Sequence, residues 1–270
     1  MNLREMINGY SEEGLSEVLA ASRVCQDIVL KAISEGPLNR NVTIKGGVVM
    51  RSLTNNNRRA TSDIDLDFIH FPLNDDAIRE FVRQLNCLEG VKIEAVGEIK
   101  ELKHQDYHGR SIEVIIKDKY GNSVRSKIDI GVHKHLEIAQ DKYCFDVCMD
   151  DEGATLLKNT VEQSFVEKLR SLLKFGTISR RYKDIYDMFY LKDIVSQKKL
   201  KELINLLILN DEEMYESSME DIIKRVSTTF NDEQYLRRVS TSRQRWMDND
   251  IHEIAEEIVS FLRNIGLDQH

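Results

Sequence analysis

The segment IKGGVVMRSLTNNNRRATSDIDLDFIH, residues 44–70, sets two adjacent glycines ahead of three aspartates at alternate positions, Asp63, Asp65 and Asp67. On a strand, alternate residues share a face, so the three carboxylates are expected to point one way while Ile64, Leu66 and Phe68 point into a core. Clustered carboxylates repel, and an unpaired buried charge is strongly disfavoured. A divalent cation relieves both problems. Mg²⁺ fits the chemistry, because it takes hard oxygen ligands, commonly one or two carboxylates plus nucleotide phosphates. Two such ions can activate an attacking oxygen and stabilise a leaving one. Gly46 and Gly47 supply the complement: they end a strand and precede a helix, so backbone can approach a ligand closely and helical N–H groups can face an anion. A GG pair or a DxD alone is common, whereas strand, GG, short helix, connector and DxD strand is a far more specific order. Read without the glycines, Asp63 and Asp65 could equally be a cap and a solvated edge-strand face.

The surrounding elements follow from periodicity. Residues 14–35 repeat apolar side chains at three- and four-residue steps (Leu15, Val18, Ala21, Cys25, Ile28, Ala32), an amphipathic helix stopped by Gly36 and Pro37. VTIKGG reads as a short strand, VVMRSLT as a short helix and DIDLDFIH as a strand. Residues 74–90 form a helix with Asn74 as N-cap and Gly90 as stop. VKIEAVGEI, SIEVIIKD and SVRSKIDIGVH alternate as strands, with DKYGNS a hairpin turn between the last two. From about residue 153 strand signals vanish and five helix-like segments follow. The expected architecture is α+β: a mixed sheet with flanking helices over residues 1–150, then a helical bundle over 151–270 packed against it.

Composition bounds the function. The 270 residues are 41% hydrophobic and 31% charged, which describes a globular protein, and only two are proline, which favours helix. No apolar run approaches the roughly 20 residues of a membrane span, and the N-terminus lacks a secretory pattern, so a cytoplasmic protein with no membrane partner is expected. The net charge of −8 argues against general duplex affinity. Local basic runs at Arg58–Arg59, at Arg180, Arg181 and Lys183, and from Arg237 to Arg245 remain. In the last run Arg243 and Arg245 could contact RNA phosphates and Trp246 could stack a base, or the tryptophan could simply be buried. Cys25, Cys87, Cys144 and Cys148 lack zinc-site spacing and read as reduced, mostly packing thiols. His104, His108, His133 and His135 have no visible partner set and receive no role.

KGGVVMRSLTNNNRRATSDIDLDF resembles the signature of the nucleotidyltransferase superfamily that includes DNA polymerase beta. EKLRSLLKFGTISRRYKDIYDMFYL is similar to the second conserved region of AbiEii-type toxins, the toxin halves of type IV toxin–antitoxin and abortive-infection systems. The resemblance spans about residues 40–195. It implies a nucleotide-phosphate loop at Lys45, Gly46 and Gly47, and a metal-binding pair at Asp63 and Asp65. Lys168 falls at the essential helical lysine, and Lys183 with Asp184 at a later Lys-Asp element, where Lys168 and Lys183 bind nucleotide and Asp184 joins the catalytic group. A third metal-binding and catalytic acid should come from a later strand beside the DxD strand, and Asp129 in SVRSKIDIGVH is the candidate. The cofactor implied is Mg²⁺, two ions, with an NTP as substrate, an RNA acceptor such as the tRNA 3′ end, and a cognate antitoxin protein. This chain departs from many relatives in having Val48, not Ser or Thr, after the glycines.

Each residue also has a plainer reading. Asp67 is expected to be solvated or structural. Lys168 could be an ordinary exposed helix lysine at the margin of the Phe165, Leu169 and Leu172 face. Lys183 and Asp187 could be an i,i+4 pair at a helix start, and Asp129 a solvent-facing acid paired with Lys127 or Arg125. At the level of function, the alternatives to nucleotide transfer are a non-catalytic nucleotide-binding protein of the same fold, and metal-dependent phosphoryl transfer or RNA cleavage.

Overall fold

The structure, a computed structural model, describes residues 1–102 and 109–267. His104 and His108 lie outside the described residues. The chain divides into two compact units, Met1–Asn159 and Thr160–His270.

In the first unit, seven strands among the described residues form one mixed sheet. They are β1 (Val42–Lys45), β2 (Ile64–Phe68), β3 (Val91–Glu101), β4 (Arg110–Asp118), β5 (Ser123–Val132), β6 (Asp141–Val147) and β7 (Asp150–Lys158), in spatial order β3-β4-β5-β2-β1-β7-β6. Four helices accompany them: α1 (Leu3–Glu12), α2 (Glu17–Glu35), α3 (Gly46–Thr54) and α4 (Asp75–Gln84). Side chains alternate across the sheet. Ile44, Ile64, Leu66, Phe68, Ile112, Val114, Ile128 and Ile130 enter one core together with α2 and α4. The opposite face carries the odd-numbered polar residues of β1, β2 and β5.

Several expectations need correction. Residues 14–35 do form a helix, capped by the Ser16 side chain and ended at Gly36. It is not a surface amphipath, however: every residue from Val24 to Ile33 is buried, while Val18, assigned to the apolar face, is 75% exposed. The second correction is the boundary. Strand signals were expected to cease near residue 153 and the first half to end at 150, yet β7 runs to Lys158, pairing in parallel with β1 and antiparallel with β6. GATLLK has no strong local strand signature, so partners distant in sequence decide its conformation. Third, only Cys25 of the four free cysteines is buried.

The helix after β2 begins where Asn74 caps it, its side chain accepting from the Ala77 amide at 2.8 Å, but ends at Gln84 rather than Gly90. The DKYGNS turn is organised by Asp118, which accepts the Tyr120 and Asn122 amides at 2.9 Å and the Leu3 amide at 3.0 Å, tying α1 to the sheet. Burial raises this carboxyl, but its hydrogen bonds outweigh that and hold it down at about 2.

The second unit is helical: α5 (Val161–Phe175), α6 (Tyr182–Leu191), α7 (Gln197–Ile204), continued by a π turn over Asn205–Leu209, α8 (Met219–Phe230), α9 (Glu233–Ser240) and α10 (Ile251–Leu267). Thr160 caps α5 by accepting from the Gln163 amide at 3.1 Å. No helix among the described residues is long and apolar enough to cross a membrane.

Candidate active site

β1 and β2 run antiparallel and put Lys45 opposite Asp65; β2 and β5 run parallel and put Asp65 beside Asp129. The apolar neighbours Ile64, Leu66, Ile128 and Ile130 are fully buried on the other face, and that burial fixes the register, since a one-residue slip would bury the carboxylates instead. The acid proposed from the later strand therefore lies next to the DxD strand. Asp129 is only 6% exposed, and its Oδ1 is buried without a hydrogen-bond partner. An unsatisfied buried carboxylate oxygen is costly, and it is the kind of hard donor that a divalent ion takes.

The glycine pair sits against these carboxylates. Gly46 has φ +63°, and a Cβ there would collide with the Asp65 carboxylate; a Cβ at Gly47 would collide with the Thr61 side chain. The Gly47 amide points at Asp65 Oδ2 from 3.5 Å. Both positions therefore exclude a side chain, the first through backbone conformation as well. They leave main-chain amides of the first turn of α3 beside the acid of β2.

Lys127, expected only as a possible partner of a solvent-facing Asp129, joins two of the acids. Its Nζ lies 3.2 Å from Asp63 Oδ2 and 2.9 Å from Asp129 Oδ2. Burial pulls its ammonium down, but the bond to Asp129 and the charges of Asp129 and Asp63 outweigh this and hold it above its ordinary value. As the side chains stand, no group of three His, Cys, Asp or Glu among the described residues converges closely enough to hold a metal ion. A lysine bridges two of the three expected acids.

A second unforeseen group lies behind β2. Gln26 of α2, fully buried, donates Nε2 to the Thr61 carbonyl at 2.8 Å and to the Asp63 carbonyl at 3.4 Å, and accepts from Arg51 Nη1. Burial pulls the Arg51 guanidinium down to about 10. Gln26 thus ties the chain entering β2 to α2 and α3. Gln26, Arg51, Arg23 and Thr61 help line a cavity of about 260 Å³, which Asp63, Asp65, Asp67 and Asp129 do not line.

Lys45 and Asp67 form a buried pair at 2.6 Å. Both side chains project from the sheet face that carries Asp65.

In the second unit Lys168 is 5% exposed, not a surface lysine at a face margin. Its Nζ lies 3.2 Å from Asp184 Oδ1 and 2.8 Å from Asp187 Oδ2. Asp184 also accepts from Arg181 Nε at 2.7 Å. Burial raises the Asp184 carboxyl, but the charges of Lys168 and Arg181 and their hydrogen bonds outweigh it and hold the group below its ordinary value. Asp187, read as an i,i+4 partner of Lys183, is fully buried and accepts from Trp246 Nε1 at 3.1 Å. Lys183 is half-buried near the start of α6.

Trp246 is 2% exposed and hydrogen-bonded, so it cannot stack on an RNA base. Arg245 donates to the Met247 and Asp248 carbonyls, both at 2.8 Å, and holds the loop before α10; Arg243 is exposed. Arg59 is buried rather than part of a basic face. His133 is buried with Nε2 3.2 Å from the Ile138 carbonyl, and His135 lies 3.3 Å from Glu137.

A crystal structure of an antigenic nucleotidyltransferase-like protein from Paracoccidioides brasiliensis overlaps 79% of this chain and 92% of its own, at 12% identity and a TM-score of 0.46, a likeness too slight to carry an argument. A search of curated proteins finds no match. Residues 28–265, by contrast, match the family described as Nucleotidyl transferase AbiEii toxin, Type IV TA system. With the glycine pair, the DxD strand and the Lys168 network all inside the matched span, the chain belongs to the AbiEii nucleotidyltransferase toxin family.

Proposed function

We propose that this protein transfers a nucleoside monophosphate from an NTP to an RNA acceptor, the 3′ end of tRNA, and so halts translation as the toxin of a type IV toxin–antitoxin pair in the cytoplasm. The observation that supports it most is the register of β2 and β5. It sets Asp65 beside Asp129 on one sheet face, with the Gly46–Gly47 amides against Asp65.

The donor set suits Mg²⁺: carboxylate oxygens of Asp63, Asp65 and Asp129, one of them buried and unsatisfied. When bound there, two such ions would supply Lewis acidity at the transferring phosphate and lower the pKa of the acceptor hydroxyl. The chain's own contributions are distinct. The amides that open α3 present partial positive charge to an anion. Asp129, buried beside Asp65, would accept the proton of the attacking hydroxyl. Lys168 contributes through the ion pairs that fix Asp184 and Asp187, and Lys183, half-buried near the start of α6, is the nucleotide-binding lysine that the family resemblance implies. The cognate antitoxin protein is the expected regulatory partner.

The test is to incubate pure protein with Mg²⁺, total RNA and each labelled NTP in turn. Label appearing on RNA supports the proposal. Shortened RNA would assign metal-dependent cleavage to the same carboxylates, and no change in either would leave a non-catalytic nucleotide-binding protein.

A further inference from the structure

Lys127 occupies the centre of the carboxylate group. It precedes Asp129 by two residues on β5, so both side chains leave the same face of the sheet, and its ammonium touches the carboxylates of Asp63 and Asp129 at once. A cation that reaches both acids at hydrogen-bond distance sits where a divalent ion bridging them would have to sit. Asp129 keeps one oxygen on the lysine and one unsatisfied, so a single monovalent charge does not complete the site. The Lys127 side chain is 39% exposed. Its flexible four-carbon stem lets the ammonium leave the carboxylates for solvent without disturbing the strand.

We propose that Lys127 is a built-in counter-cation: it holds Asp63 and Asp129 together when no divalent ion is bound, and is displaced when one binds. The inference rests on the reading of these acids as metal ligands. Clustered carboxylates repel, and the lysine relieves that repulsion without filling the site irreversibly. A divalent ion arriving alone must break two ion pairs, and the freed ammonium finds only water. Arriving with a nucleoside triphosphate, the ion brings phosphates that take up the ammonium. Lys127 thus couples metal binding to nucleotide binding and keeps the nucleotide-free site sparsely metallated. It is a positioning residue, acting through Asp63 and Asp129.

The experiment measures Mn²⁺ affinity from the electron paramagnetic resonance of free Mn²⁺. Wild type and Lys127→Met are compared without nucleotide and with each of four non-hydrolysable nucleoside triphosphate analogues. Lys127→Met is expected to bind Mn²⁺ about tenfold more tightly than wild type without nucleotide, the scale of one decade per 1.4 kcal/mol, and to show less tightening on adding the analogue. Lys127→Arg, which keeps the charge, should behave like wild type. Lys127→Gln provides a second neutral side chain should the methionine variant fold poorly. Equal Mn²⁺ affinity in wild type and the neutral variants overturns the counter-cation role while leaving the carboxylates as metal ligands. If no protein binds Mn²⁺ even with an analogue present, the carboxylate reading falls and the inference falls with it.

Discussion

Asp65 on β2 and Asp129 on β5 are register partners across a parallel pair of strands, although 64 positions separate them in sequence. Every neighbouring even-numbered residue is apolar and buried on the far face, so the two carboxylates cannot turn away from each other without unpacking the core. The site is a product of sheet register.

Asp63 stands apart from that pair. It is 42% exposed, pairs with Lys127 and accepts from the Ser62 hydroxyl at 3.3 Å. Asp63→Ala should abolish transfer and growth inhibition while changing stability by no more than about 1 kcal/mol, since half-exposed ion pairs contribute little. Clustered acids alone would have predicted a small gain in stability, but Lys127 already offsets their repulsion. Thermal unfolding and label transfer on the purified variant check both halves; full activity would remove Asp63 from the metal set.

Gln26 holds the Thr61 and Asp63 carbonyls from behind the strand. Replacing it with Leu removes these hydrogen bonds to the two carbonyls and from Arg51 Nη1, at a cost of about 1–3 kcal/mol. Turnover should fall about tenfold to a hundredfold, as expected when reacting groups are misplaced by small distances, with nucleotide affinity nearly kept. A variant that unfolds earlier but turns over normally would confine Gln26 to stability.

The Lys168 network predicts a pH dependence. Because the Asp184 carboxyl is held below its ordinary value, the stability it contributes is fully present above its unfolded pKa. That contribution is lost as pH falls through the lower folded value. The difference in melting temperature between wild type and Asp184→Asn should be large at neutral pH and shrink below about pH 4. Lys168→Ala should cost about 3–5 kcal/mol at neutral pH, because Asp184 and Asp187 would lose their buried counter-charge. A difference independent of pH would mean that the Lys168–Asp184 pair is not ionised as described.

Trp246 is the single tryptophan and its indole is buried on Asp187. Its fluorescence should report unfolding of the Thr160–His270 unit and should not be quenched by stacking when RNA is added. Trp246→Phe removes the hydrogen bond and should cost about 1–3 kcal/mol. Strong static quenching by single-stranded RNA would contradict the burial of this side chain.

The order of elements around the site was legible because its signals are local. The glycines need a backbone that tolerates positive φ and close approach, and DIDLDF alternates cleanly. Asp129 could be singled out because the family resemblance implies an acid on a later strand and Ile128 and Ile130 flank this one. What stayed hidden depends on contacts distant in sequence. β7 is a strand because β1 and β6 flank it, not because GATLLK favours one. Val24 to Ile33 is buried all round because the sheet and its helices surround it, and a helix period shows only its most apolar face. The sequence offers Lys127 as a partner of Asp129 but not of Asp63, and nothing local pairs Lys45 with Asp67; both contacts depend on register. Trp246 looks available for stacking until the fold brings Asp187 to its indole.

The most direct measurement is the transfer rate of Asp129→Asn beside its NTP affinity. The substitution keeps size, removes the charge and turns one acceptor oxygen into an NH2 donor. The account predicts nearly unchanged NTP binding and a loss of at least about a hundredfold in rate, the scale of general-base help. A normal rate of nucleotide transfer by Asp129→Asn would contradict it, and would leave Asp63 and Asp65 to carry the chemistry alone.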